Sequence, residues 1–146
     1  MSSGTVEHLS RPGIVAWLRA AAAYNAIVGT CIAVWPDAYF RVLSLPPPTY
    51  PALWRLTGMF ILVYAPGYCW ASLRPRAHSH IVAIGLFGKV LGPVGFITAL
   101  AIGELPASFG WLLLTNDVVW WPALGGYVRH SARQAGGWSA YLRGES

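Results

Sequence analysis

The stretch HIVAIGLFGKVLGPVGFITALAIG, residues 80–103, carries a single lysine, Lys89, among residues that mostly partition into hydrocarbon. At about 1.5 Å per residue, a helix of this length crosses a hydrocarbon layer of roughly 30 Å. A lone ammonium near its middle costs on the order of 3 kcal/mol or more in lipid, so Lys89 is expected to face a protein interior and find a partner. The stretch therefore predicts a transmembrane helix that packs in a bundle through its Lys89 side.

The composition of the whole chain is that of a membrane protein. Of its 146 residues, 55% are hydrophobic and 10% are charged, whereas soluble domains carry about 25% charged residues. Further apolar runs of transmembrane length are separated by segments that contain prolines. The sequence predicts one domain, an all-α integral membrane four-helix bundle, with helices at about 14–35, 51–73, 80–103 and 105–128 and a polar cytoplasmic tail at 129–146.

Charged residues favour one orientation of this bundle. The predicted helix ends on one side carry arginines, namely Arg11, Arg19, Arg74, Arg76, Arg129 and Arg133. The opposite side carries Asp37, Arg41 and Glu104. The positive-inside rule then predicts a multi-pass membrane protein with both termini, and the loop between the second and third predicted helices, cytoplasmic. The net charge of +5 is explained by this topology and by attraction to anionic lipid, and no nucleic-acid partner is expected because no basic stripe accompanies RNA-binding aromatic residues.

Polar residues from all the predicted helices fall at one depth. Each of these residues lies roughly 14 to 20 Å from the membrane face at which its own predicted helix begins, and therefore near the bilayer midplane. The residues are Asn25, Tyr64, Lys89, Asn116 and Asp117. Asp117 is the acidic residue at that depth. We therefore predict a Lys89–Asp117 pair in which Asn25, Asn116 and Tyr64 fill the remaining hydrogen-bonding positions.

Small residues and prolines support a cavity at this depth. One broad side of the third predicted helix is lined with glycines, which allow close helix approach: Gly85, Gly88, Gly92 and Gly95. Pro66, Pro93 and Pro122 are expected to interrupt helix interiors and to free the carbonyl groups four residues earlier. Pro93 thereby frees the carbonyl of Lys89 itself.

Several other residues have two possible roles. Arg55 either snorkels to the outer interface or forms an outer gate that binds an anionic headgroup. Trp120 and Trp121 either pack in the bundle or wall an apolar ligand pocket.

Metal and disulfide chemistry is not expected. His78 and His80 would point apart on a helix, so a metal site is not predicted. Cys31 and Cys69 lie at different depths, which excludes a disulfide between them. The sequence names no cofactor.

Three short motifs resemble a known group of proteins. LPPPTYPALW (45–54), GKVLGPVGF (88–96) and TNDVVWW (115–121) resemble small bacterial four-helix membrane proteins that are loosely DoxX-like. The likeness covers most of the chain. It implies a four-helix fold, a location in the bacterial inner membrane, and a family pattern that includes Lys89, Asn116 and Asp117. It implies no activity.

Three functions remain open. In the first, the protein binds a small lipophilic molecule, with or without transforming it; Asp117 and Lys89 are then the candidate catalytic groups, because a desolvated carboxyl can exchange a proton while the ammonium sets its charge. The candidate ligand-binding residues are Asn25, Arg55, Tyr64, Asn116, Trp120 and Trp121.

The other two functions require partner chains. A small proton-coupled transporter would need a homo-oligomer, since four helices are few for a monomeric transporter. An accessory or scaffold subunit of a larger membrane complex would have a filled core and no pocket. The convergence of polar groups from all the helices favours ligand binding, and whether the protein is an enzyme is left open.

Overall fold

Helices form where the sequence has its apolar runs. The structure, a computed structural model, describes residues 12–144, and its secondary structure over that range is helical without strands, which confirms the all-α prediction. The long helices α1 (Pro12–Val34), α3 (Pro51–Leu73) and α4 (Ser79–Ala101) are each long and apolar enough to cross a membrane. A short helix, α2 (Ala38–Val42), lies between α1 and α3. These three long helices indicate a membrane-embedded protein.

The predicted fourth helix at 105–128 is interrupted, so the prediction of one continuous helix is wrong. After a 3₁₀ turn at Ala107–Phe109 the chain forms α5 (Gly110–Asn116) and then a second 3₁₀ turn at Val118–Trp120. Helix α6 (Trp121–Gln134) follows directly. Pro122 lies in the first turn of α6, where its missing amide hydrogen is not needed, so it begins a helix and does not kink the middle of one.

The segment predicted as a polar tail at 129–146 is largely helical where it is described. Helix α6 runs to Gln134, and α7 (Trp138–Leu142) follows a turn in which Gly136 and Gly137 have positive φ angles. The ring of Tyr141 is buried and stacks on His80 at 4.4 Å between centroids. His80 Nε2 also donates to the Tyr141 carbonyl at 2.7 Å. Arg11, Glu145 and Ser146 lie outside the described residues.

Helices α1 and α3 pack most closely, at two glycines. A Cβ atom on Gly29 would lie 2.7 Å from the Leu62 amide nitrogen and 2.8 Å from the Gly58 carbonyl oxygen. Real Cβ atoms do not approach backbone this closely, so only glycine permits the crossing. Close backbone contact through small residues is the usual way in which helices associate in lipid.

The two ends of the bundle differ in packing. At one end, Tyr127 of α6 donates a hydrogen bond to the Pro75 carbonyl, and the buried side chains of this end form the main hydrophobic core. At the other end, Phe40 packs against Trp54 and Phe109 with ring centroids 5.2 and 5.4 Å apart. Consecutive long helices therefore run in opposite directions between a packed end and an aromatic end.

The outer surface of the bundle is apolar. Large hydrophobic side chains such as Ile27, Val63 and Ile97 are more than three-fifths exposed. The hydroxyl of the exposed Thr98 donates to the Val94 carbonyl, four residues earlier in its own helix, at 3.0 Å. A hydroxyl satisfied in this way can face hydrocarbon without losing a hydrogen bond, which agrees with membrane embedding.

Candidate functional site

A cavity of about 690 Å³ lies between α3, α4 and α5 and reaches the polar residues predicted for the midplane. Its wall includes Asn25, Tyr64, Lys89, Asn116 and Asp117. Pockets for small molecules usually measure roughly 300 to 1,000 Å³ and combine apolar walls with a few polar groups. The cavity therefore has the size and lining of a small-molecule site.

The side walls of the cavity come from two complementary helix faces. Helix α3 contributes Trp54, Thr57, Ile61, Tyr64 and Tyr68, at alternating spacings of three and four residues that place them on one face. Helix α4 contributes a glycine row at the same spacing, which consists of Gly85, Gly88, Gly92 and Gly95. Because glycine has no side chain, the Tyr68 hydroxyl can pack directly against Gly85, where a Cβ would collide with it, and the space beside Gly95 stays open.

Aromatic rings and prolines close the end of the cavity away from the polar residues. Phe40, Trp54 and Phe109 lie there, together with the chain segment 46–48. This segment is a run of three prolines, each of which has a fixed φ angle, so it forms a stiff wall. One end of the cavity is thus largely aromatic, with Trp54 Nε1 as a buried polar atom, and the other end carries the ion pair.

The polar end is organised around Lys89 and Asp117. Lys89 Nζ lies 3.9 Å from Asp117 Oδ1, and the side chains are only 7% and 9% exposed. Lys89 Nζ also donates to the carbonyl of Asn116, while Asn116 Nδ2 donates to Asp117 Oδ1 at 2.8 Å. The sequence-predicted partners Lys89, Asp117 and Asn116 thus form one hydrogen-bonded group. A buried pair of this kind depends on both partners, since either charge alone would be uncompensated.

The break in the fourth segment creates this group. Helix α5 ends at Asn116, so the last carbonyls of α5 lack helical amide partners. Lys89 donates to the Asn116 carbonyl, and Trp120 Nε1 donates to the Thr115 carbonyl at 3.0 Å. Unpaired carbonyls are costly in an apolar medium, so these side-chain donors are what allows the chain to unwind at Asp117.

Helix α4 is tied to the same segment through its backbone. Trp121 Nε1 donates to the Lys89 carbonyl at 3.1 Å, which is the carbonyl that the proline at position 93 is expected to free. Lys89 is therefore held both by its ammonium and by its carbonyl oxygen.

Other predicted site residues lie elsewhere. Arg55 is exposed on α3 and does not line the cavity. Trp120 is buried against Trp17 and Tyr24, with ring centroids 5.8 and 5.4 Å away. Trp121 is 37% exposed and bonds the Lys89 carbonyl from outside the cavity wall. Both tryptophans thus support the site by packing and hydrogen bonding.

The aromatic part of the wall was not among the residues predicted from the sequence. Phe40, Trp54, Tyr68, Phe96 and Phe109 all line the cavity. For Trp54 and Tyr68 the signal was present in the three-and-four spacing along α3. Phe40 and Phe109 come from short helical segments whose positions depend on the tertiary fold.

The sequence matches no protein-family model and no curated protein, and the fold matches no solved structure. The function is therefore inferred from the cavity and its polar end.

Proposed function

We propose that this integral membrane protein binds a small lipophilic molecule in the cavity, with the Lys89–Asp117 pair at the polar end of the bound molecule. The observation that carries the proposal is the polarity gradient of the cavity, from the Phe40 and Phe109 rings to a buried ion pair. An amphiphilic molecule matches such a gradient with its apolar part and its polar head.

The proposed topology has four membrane crossings. The fourth crossing is made by α5, the unwound turn at Asp117 and α6, and both termini are cytoplasmic in a bacterial inner membrane. Irregular backbone is tolerated at membrane depth where it lines a cavity, and broken helices form ligand sites in membrane transporters. The positive-inside rule and the motif resemblance support this location.

In this proposal Asp117 is the group that can exchange a proton with the bound molecule. Its Oδ1 accepts from Asn116, and its Oδ2 faces Gly92 on the cavity side of α4. Lys89 compensates the carboxylate charge. Any chemistry at the site would accordingly be general acid–base chemistry at the polar head of the ligand.

Two other functions are less well supported. A scaffold subunit with a filled core would not need a cavity of about 690 Å³. A proton-coupled transporter needs a polar path to both faces, whereas one end of this cavity is built from aromatic rings and prolines.

The test is native mass spectrometry of the protein purified in mild detergent, together with an absorption spectrum. We expect a stoichiometric lipophilic molecule that is lost in Asp117→Asn. The control is Asp37→Asn, which removes an exposed carboxylate paired with Arg41 at 2.7 Å and should retain the molecule. A protein without bound molecule that carries a partner chain instead would support the scaffold function.

A further inference from the structure

Buried polar atoms without hydrogen-bond partners surround the polar end of the cavity. Among the described residues these include Asn25 Oδ1, Asn116 Oδ1 and the Tyr68 hydroxyl. All three residues line the cavity, and Asn25 and Tyr68 are only 1% and 0% exposed. Buried polar atoms are nearly always paired in folded proteins, so such a cluster beside a cavity points to a ligand that completes it.

The orientation of Asn116 determines what the ligand must offer. Because Asn116 Nδ2 donates to Asp117 Oδ1 at 2.8 Å, its Oδ1 is the end that remains unpaired. An amide oxygen only accepts hydrogen bonds, and the same applies to Asn25 Oδ1. The Tyr68 hydroxyl can donate as well as accept. The polar head of the ligand must therefore donate at least one hydrogen bond, and it can accept another.

The charges at the site exclude a charged head. Lys89 Nζ and Asp117 Oδ1 lie 3.9 Å apart. The pair is neutral overall in either protonation state, as an ammonium with a carboxylate or as an amine with a carboxylic acid. A carboxylate or phosphate head would add a second anion beside Asp117, and an ammonium head would add a second cation beside Lys89. Glu104, the other acidic residue in the wall, is exposed and offers no buried counter-charge. An uncompensated charge in this apolar cavity would be strongly unfavourable.

We infer that the ligand is an uncharged amphiphile whose polar end is a hydroxyl group, an alcohol or a phenol. This inference rests on the proposed function. The hydroxyl donates to the Asn116 or Asn25 amide oxygen and accepts from Tyr68. The apolar part lies along the glycine row of α4 and reaches the rings of Phe40 and Phe109.

The test uses photoreactive probes with one identical diazirine-bearing alkyl chain and four different ends: hydroxyl, methyl ether, carboxylate and ammonium. The full chain in detergent is irradiated with each probe, and mass spectrometry locates and quantifies the labelled residues. We expect the alcohol to label cavity residues with a half-saturating concentration at least about tenfold below those of the other probes. The methyl ether tests the donor directly, because it keeps the oxygen and lacks the hydrogen.

Variants connect the selectivity to the unpaired atoms. Asn25→Leu removes an acceptor of the ligand hydrogen, so it should raise the half-saturating concentration of the alcohol several-fold and leave that of the ether unchanged. Tyr68→Phe removes a donor to the oxygen that both probes keep, so it should raise the half-saturating concentrations of both. Tyr50→Phe is the matched control, since Tyr50 is exposed and outside the cavity wall. Tyr68→Phe removes a hydroxyl that has no partner, so its thermal unfolding temperature should not fall; if it does, Asn25→Leu and the ether probe still test the inference.

The outcomes separate the two proposals. If no probe labels the cavity, the proposed function is overturned. If the acid, the amine or the ether labels the cavity as strongly as the alcohol, ligand binding stands and the hydroxyl class is wrong.

Discussion

Lys89 shows how a single residue organises the site. Its ammonium bonds the Asn116 carbonyl and lies near Asp117, while its own carbonyl accepts from Trp121. A charged side chain in an otherwise apolar helix is tolerated because each of its polar groups has a partner. The residue that seemed least suited to the helix therefore joins α4 to the interrupted fourth segment.

The first prediction concerns the dependence of each charge on the other. Lys89→Met should lower the free energy of unfolding by about 3 kcal/mol or more, because it leaves the Asp117 carboxylate buried without a compensating positive charge. Adding Asp117→Asn should recover most of the loss. The backbone carbonyl of Asn116 still lacks the hydrogen bond that it accepted from Lys89, which is worth about 1 kcal/mol. Both are measured by unfolding in mixed detergent micelles.

An exposed ion pair provides the control for this prediction. Asp37→Asn breaks the pair with Arg41, whose side chains are 42% and 68% exposed respectively, and should cost no more than about 1 kcal/mol. A Lys89→Met variant as stable as Asp37→Asn would show that the buried pair contributes nothing to folding.

The second prediction concerns two glycines, Gly92 in the cavity wall and Gly126 on α6 outside it. A Cβ at Gly92 would lie 2.7 Å from Asp117 Oδ2, whereas a Cβ at Gly126 would meet nothing within 4 Å. Gly92→Ala should therefore displace the Asp117 carboxylate and reduce the bound molecule to less than about a tenth, a loss of more than 1.4 kcal/mol in binding. Gly126→Ala should retain it. The stoichiometry is measured by native mass spectrometry, and equal retention in both variants would place the ligand away from Asp117.

Among the helices, the interrupted fourth segment determines where the site lies. Unwinding at Asp117 exposes carbonyls that a continuous helix would have used internally, and Lys89 and Trp120 donate to them. The interrupted segment is stable because Lys89 of α4 and Trp120 of the second 3₁₀ turn lie close enough to donate hydrogen bonds to these carbonyls. The interruption is therefore a property of the packed bundle.

The third prediction tests the link between α4 and α6. Trp121→Phe should destabilise the protein by about 1 kcal/mol, since it removes the donor to the Lys89 carbonyl. In a Pro93→Ala background the cost should shrink, because an amide at position 93 can then bond that carbonyl within the helix. A double-mutant cycle measures this coupling. Trp111→Phe, at a tryptophan that is 66% exposed, is the control, and additive effects of Trp121→Phe and Pro93→Ala would contradict the proposed link.

Across the whole molecule, packing and cavity are separated along the bundle axis. The hydrophobic core, with Leu18, Tyr127 and Tyr141, lies towards the end that contains α7, and the aromatic cluster of Phe40 and Phe109 closes the other. The packed end stabilises the fold while the cavity side remains open.

The fourth prediction concerns the side on which each end lies. Tyr127 contacts the Pro75 carbonyl and Tyr141 stacks on His80, so the turn between α3 and α4 shares one end with α7. In a background without Cys31 and Cys69, cysteines placed at Ala77 and Ser139 should react with a membrane-impermeant maleimide only after the cells are permeabilised. A cysteine at Ser44 should react in intact cells. The reverse pattern would invert the proposed orientation.

The sequence by itself determined the helical class, the long apolar helices and the meeting of Lys89 with Asp117. The helical class and the apolar helices follow from composition and length, which are local properties of the chain. The pairing follows from the cost of a lone charge in lipid and from the depth of each residue, which can be counted from the helix ends. The glycine face of α4 was visible for the same reason, since it depends only on helical spacing.

Only the tertiary structure decided the interruption at Asp117, the packing of α7 and the apolar wall of the cavity. An apolar run has the same pattern whether its helix is continuous or broken, and the difference lies in donors such as Lys89 and Trp120 that reach the freed carbonyls. Tyr141 appeared to belong to a polar tail because its contact with His80 crosses 61 positions of the chain. The roles of Arg55, Trp120 and Trp121 were likewise undetermined, because the direction in which a side chain points depends on the packing of its helix against its neighbours.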